Sequence, residues 1–327
     1  MLLSSALLAL GIVILIVGGD LMVRGAAALA RHWGIPALIV GLTIVAFGTS
    51  APELVVAVQA VIDGIEASEL ASGNIVGSNI ANILLALGLP ALIMAIPTNM
   101  PGVARNAFVC VAATIIFISL AILGNPMVMW QGGILFAGIL IYLAWMFRLG
   151  LSGADDPILA EMTEIDEGED GLPTRQWLSF LFVIIGLVGL VIGGRLIVDH
   201  ATNIAEILNV PKALIGLTIV AIGTSLPEIA TVIIAAYRGH PEVAIGNVLG
   251  SNVFNLFAVG GAASLAGPLR FKQEFFIFDF WVMLVSMVAL TIYILGRNPI
   301  GKRTGIVFVL AYVLYLAAQA KYGMASG

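Results

Sequence analysis

Two stretches of this chain are near copies: GLTIVAFGTSAPE at 41–53 and GLTIVAIGTSLPE at 216–228. Both place a Gly-Thr-Ser break, a proline and a glutamate inside an otherwise apolar run. A carboxylate within a hydrophobic span is costly and marks an ion or substrate path. Here the cost is incurred twice, at positions 175 residues apart. Whatever fold forms must bring these two broken apolar segments into equivalent surroundings.

Composition fixes the solvent. The 327 residues are 61% hydrophobic and 10% charged, with a mean hydropathy of +1.11. Soluble domains carry roughly 25% charged residues, so a water-soluble globule is excluded. The apolar runs have the length of bilayer-spanning helices rather than barrel strands. Ten spans are expected, near 3–30, 37–62, 70–96, 103–123, 128–149, 177–203, 212–237, 242–266, 275–296 and 303–322. The first reads as a span, since no basic segment precedes it and no cleavage site follows. The single cysteine, Cys110, provides neither a disulfide nor a thiolate metal site. Residues 154–172 hold eight acids and no base, so the rest of the chain carries +3 against a total of −5.

The duplication extends along the chain. GGDLMVR at 18–24 matches GGRLIVD at 193–199, with the charges exchanged: Asp20 and Arg24 against Arg195 and Asp199. A second motif follows, GNIVGSNIAN at 73–82 against GNVLGSNVFN at 246–255, at an offset of 173. Five spans per copy is an odd number, so the second copy must enter from the opposite side. The expected fold is an all-α membrane protein of ten transmembrane helices, built as two inverted five-helix repeats. Residues 1–150 and 177–327 form the repeats, and 151–176 an acidic linker. Helices 2 and 7 are expected to break at the Gly-Thr-Ser-x-Pro-Glu motifs, because Pro52 and Pro227 lack an N–H and crowd the carbonyls of Gly48 and Gly223. Counting Lys and Arg in the loops gives eight against four, which places both termini outside and the linker in the cytoplasm.

Freed carbonyls beside a carboxylate make a hard oxygen environment, suited to Na⁺ or Ca²⁺. Glu53 lies about 4.5 Å from the middle of its span at 1.5 Å per residue, and Glu228 repeats that depth. Ser78 with Asn82, and Ser251 with Asn255, add neutral oxygens on one face of spans 3 and 8. A plainer reading makes Ser50-x-x-Glu53 and Ser225-x-x-Glu228 capping boxes, and the Gly-xxx-Gly pairs at 73–77 and 246–250 close-packing sites.

These paired motifs in two five-helix halves resemble the sodium/calcium exchangers of the cation/calcium antiporter superfamily, in particular their compact prokaryotic members. The resemblance implies an antiporter with alternating access, in which helices 1 and 6 slide across an eight-helix core. It implies Ca²⁺ held by Glu53 and Glu228 with the backbone carbonyls of Thr49 and Thr224. Ala46, Ser50, Ser78, Ala221, Ser225 and Ser251 would line flanking Na⁺ positions, with Asn82 and Asn255 at the centre. Some members carry Asp where this chain has Asn255, so the coupling ion, Na⁺ or H⁺, stays open here. No cofactor, nucleic acid or protein partner is implied, only inorganic cations and the lipid bilayer. A cation channel and an intramembrane enzyme are the remaining classes. A channel commonly needs a pore on an oligomer axis, and no nucleophile arrangement accompanies the motifs.

Overall fold

The fold was obtained as a computed structural model, which describes residues 1–153, 172–208 and 221–325. The described residues are helical apart from short connections. In chain order they form α1 (Leu2–Trp33), α2 (Ala37–Ile62), α3 (Ile65–Ala91), α4 (Val103–Leu123), α5 (Met129–Gly150) and α6 (Gln176–Ile207). Next come α7 (Leu226–Tyr237), α8 (Pro241–Ala266), α9 (Phe275–Leu295) and α10 (Lys302–Ala320). Nine of these described helices are long and apolar enough to cross a bilayer, and α7 is the described part of the seventh span. The acidic segment 154–171 and residues 209–220 lie outside the described residues.

Burial sorts the helices into layers. The most apolar window of α8 is 94% buried and that of α3 78%, against 17% for α10 and 28% for α5. Thus α3 and α8 run through the centre, while α5 and α10 turn large apolar side chains such as Ile141 and Leu314 outward, as lipid-facing helices do. Trp33, Trp130 and Trp177 are exposed near helix ends, in the positions interface anchors occupy.

The inverted repeat is written into the connections. Asp63-Gly64 ends α2 and Arg238-Gly239 ends α7, 175 residues later. Both glycines have positive φ, 128° and 80°, which lets the chain reverse tightly without a Cβ clash. Two short backbone bridges repeat at the other offset, 173. The α3–α4 loop pairs with the α9–α10 loop through Ile96 and Ile300 (N···O 3.0 and 2.8 Å). The α4–α5 loop pairs with the α8–α9 loop through Met127 and Leu269 (2.8 and 2.9 Å).

Glycine decides which helices touch closely. Gly11, Gly18 and Gly25 of α1 recur every seven residues and face Gly193, Gly186 and Ser179 of α6. A methyl group added at Gly186 would lie 2.6 Å from the Gly18 carbonyl oxygen, and one at Gly193 2.8 Å from that of Gly11. The two long helices therefore meet backbone to backbone, and they contact each other far more than either contacts the rest. The same device seats α8 on α2: methyl groups at Gly246 and Gly250 would lie 2.8 Å from the Leu38 carbonyl and 2.6 Å from Ala46 Cβ. Gly73 and Gly77 of α3 have no such close neighbour among the described residues.

One expectation needs correction. In the second copy the helix is interrupted, as a turn at Thr224 and Ser225 separates Ala221–Gly223 from α7. In the first copy α2 runs through Pro52 without a break. Its irregularity lies upstream, as a π-helical segment over Gly41–Val45. Further π segments begin at Asn82 and next to Asn255, over Asn82–Ala86 and Phe254–Val259.

Gly186→Leu should separate α1 from α6. Overpacking of this kind costs about 1–3 kcal/mol. We expect a lower thermal midpoint in detergent for Gly186→Leu, and near wild-type behaviour for Gly133→Leu, whose added side chain would meet nothing within 4 Å.

Candidate functional site

The two central helices and the two motif helices converge in the interior of the bundle. From α2 come Thr49, Ser50 and Glu53, all buried, with Glu53 only 2% exposed. Glu228, 1% exposed, sits in the first turn of α7, where the positive end of the helix dipole favours an anion. Ser78 and Asn82 enter from α3, and Ser251 and Asn255 from α8, all buried.

Hydrogen bonds tie the halves together across this centre. Ser50 donates to Glu228 Oε1 at 3.3 Å. Thr49 donates to Asn247 Oδ1 at 3.1 Å and lies 3.3 Å from the Ser251 hydroxyl. Asn82 Nδ2 donates to Asn252 Oδ1 at 3.1 Å, and Asn252 Nδ2 to the Asn79 carbonyl at 3.5 Å.

The decisive feature is what these groups do not bond. Among the described residues, eleven buried side-chain oxygen and nitrogen atoms lack a hydrogen-bond partner. Eight of them belong to Glu53, Glu228, Ser78, Ser225, Asn82 and Asn255, all anticipated from sequence. Buried polar atoms in native proteins are nearly always paired, so a local concentration of orphans needs a cause. Seven of those eight are carboxylate, hydroxyl or amide oxygens. That donor set suits a hard cation.

The capping reading fails on the same evidence. Ser225 precedes α7, yet its hydroxyl makes no cap bond. Ser50 lies inside a continuous helix and bonds across to Glu228 instead. Of the remaining anticipated positions, Ala46 is buried and its carbonyl accepts weakly from Thr49 at 3.4 Å. Thr224 lines a cavity of about 160 Å³ together with Glu53 and Pro52. Ala221 opens the short turn Ala221–Gly223, and its side chain lies outside the described residues.

Sequence reasoning passed over Asn247 and Asn252. Both belong to the second motif, at its second and seventh positions, and they make the cross-helix bonds that hold Thr49 and Asn82. Their signal was available: each is duplicated, as Asn74 and Asn79, on the opposite helix. Thr49 reaches Asn247 Oδ1, while the amide nitrogens of Asn247 and of its counterpart Asn74 both lack a hydrogen-bond partner.

Comparison with known proteins agrees with this geometry. The family described as sodium/calcium exchanger protein matches residues 3–148 and 178–321. The inner membrane protein YrbG of Escherichia coli is 33% identical over 97% of this chain and 97% of its own length. The sodium/calcium exchanger MaX1 of Methanosarcina acetivorans is 28% identical over 95% of this chain and 96% of its own length. A solved structure of the sodium-calcium exchanger NCX_Mj, soaked with zero Na⁺ and Ca²⁺, superposes with a TM-score of 0.80 at 30% identity. That likeness covers 97% of this chain and 99% of the other. A ten-helix membrane protein with this duplicated, unsatisfied oxygen site and this breadth of match belongs to the sodium/calcium exchanger family.

Proposed function

We propose that the chain is a secondary antiporter exchanging Na⁺ for Ca²⁺ by alternating access, with both ions bound where the two halves meet. The observation that carries this is the cluster of unpartnered oxygens on Glu53, Glu228, Ser78, Asn82 and Asn255. Ca²⁺ takes six to eight oxygens, and two carboxylates alone cannot supply them. The neutral oxygens of Ser50, Ser251 and Ser225, with backbone carbonyls at Ala46, Thr49, Ala221 and Thr224, complete the candidate set. A site built for protons would need the carboxylates only, which favours Na⁺ over H⁺ as the coupling ion.

Charge counting gives the energetics. With Asn at both 82 and 255 the pocket holds two formal negative charges. Ca²⁺ neutralises it, and three Na⁺ leave it at +1. Exchange of three Na⁺ for one Ca²⁺ moves one net charge, worth about 2.3 kcal/mol per 100 mV, while exchange of two protons is electroneutral. In this reading residues 1–150 and 177–327 act as the two halves, joined by the 151–176 linker on the cytoplasmic side, with both termini outside. Binding is the work of the site; no bond is made or broken.

Ca²⁺ uptake into everted vesicles should follow an imposed Na⁺ gradient and persist with a protonophore once voltage is clamped. Uptake driven by a pH gradient alone would replace Na⁺ with H⁺ as the coupling ion. Glu53→Gln and Glu228→Gln should each lower exchange at least about 100-fold, since each removes a charged ligand worth several kcal/mol in a dry site. Normal exchange by both variants would reject the site. Asn247→Ala should act more mildly. Losing one buried hydrogen bond of about 1–2 kcal/mol should raise the half-saturating Ca²⁺ concentration roughly five- to thirtyfold, read from concentration dependence at fixed Na⁺.

A further inference from the structure

Asp20 of α1 bridges two arginines. It accepts from Arg238 Nε, at the end of α7, at 2.6 Å, and from Arg24 Nη1 at 3.3 Å. The repeat makes this contact unusual. Asp20 corresponds to Arg195 of α6, and Arg238 to Asp63 at the end of α2, both at the offset of 175. The signs of both members are reversed between the repeats, the first holding both acids and the second both bases, so each cross-repeat pair retains one acid and one base. Independent drift at either position would give two like charges, which repel.

Only one of the two pairs is made. Arg195 has no ion pair with a described residue, and Asp63 instead accepts from Gln59 of its own helix at 2.8 Å. The packing around the two places differs in the same sense. Beside Asp20, a methyl group at Gly19 would collide with Ile234 of α7. Beside Arg195, a methyl group at Gly194 would meet nothing closer than 3.9 Å. Thr231 of α7 is fully buried, while its counterpart Val56 of α2 is 47% exposed. The cavity of about 160 Å³ opens on this looser side, lined by Arg195, Asp199 and Val56, and it reaches Glu53.

From this we infer that Asp20–Arg238 and Arg195–Asp63 are alternating latches, one for each face of the membrane. In the state described here the first latch holds α1 against α7 and shuts the face carrying the α7–α8 turn. The second is open, and the cavity that Glu53 lines lies toward the face carrying the α2–α3 turn. In an inverted repeat the opposite state is obtained by exchanging the conformations of the halves. Arg195 then meets Asp63 as Asp20 leaves Arg238, and because α1 and α6 are joined backbone to backbone, the two events are coupled. The four residues are thus positioning residues for access to the site. This inference rests on the alternating-access reading, though not on the identity of the ion.

Solvent accessibility of single cysteines tests it, in a Cys110→Ala background and in detergent. The reporters are Val56→Cys for one face and Thr231→Cys for the other, each labelled with a water-soluble maleimide. Asp20→Asn should raise the labelling rate of the Thr231→Cys reporter and lower that of the Val56→Cys reporter. About two- to fivefold is expected for a half-exposed ion pair. Arg195→Gln or Asp63→Asn should shift both reporters the other way, and Asp20→Glu, which keeps an acid facing Arg238 and Arg24, should hold the wild-type rates. Shifts of the same sign from both latches, both reporters rising together, or no shift at all would overturn the proposal. Labelling that moves as expected in a protein showing no Ca²⁺ exchange would keep the latches and discard only the ion assignment.

Discussion

Desolvated oxygen is the constraint on which the structure turns. Two carboxylates and a ring of hydroxyl and amide oxygens are held away from water, in a setting where an unpaired polar atom costs several kcal/mol. The surrounding protein does not relieve that cost. It fixes the groups with bonds that use their other atoms: Asn82 on Asn252 and Ser50 on Glu228 leave Asn82 Oδ1 and Glu228 Oε2 free. An ion that has shed its hydration shell is then the natural partner for them. Affinity in such a site comes from preorganisation rather than from the number of charges.

Inversion explains how one chain builds that site. A single motif helix could present one carboxylate from one side. Duplication with reversed topology delivers the second from the other side, and the paired Asn-containing helices α3 and α8 fill the space between. Close helix contact is achieved with glycine wherever geometry needs it, between α1 and α6 and between α8 and α2. In lipid this is how helices associate, because burying apolar side chains against one another gains little over burying them in acyl chains.

Much of this was legible in the sequence, and for physical reasons. Span number and inversion follow from hydropathy, parity and the offsets of 175 and 173. The acidic and hydroxyl members of the site follow from polar groups placed where lipid would otherwise surround them. What remained hidden depended on register between helices. Pro52 reads as a helix break, yet α2 passes through it with a π segment upstream. The linear reading passed over Asn247 and Asn252, which stand on either side of Ser251 in their motif. Only the seating of α8 on α2, permitted by Gly246 and Gly250, turns them toward Thr49 and Asn82. The pairing of Asp20 with Arg238 was likewise absent from a linear reading.

The two loop bridges have a bearing on mechanics. Ile96 with Ile300 and Met127 with Leu269 strap α3, α4 and α5 to α8, α9 and α10 at opposite ends of the bundle. None of these straps includes α1, α2, α6 or α7. A scaffold braced at top and bottom resists shear, so any piston-like stroke falls to helices outside the bracing, α1 and α6 among them.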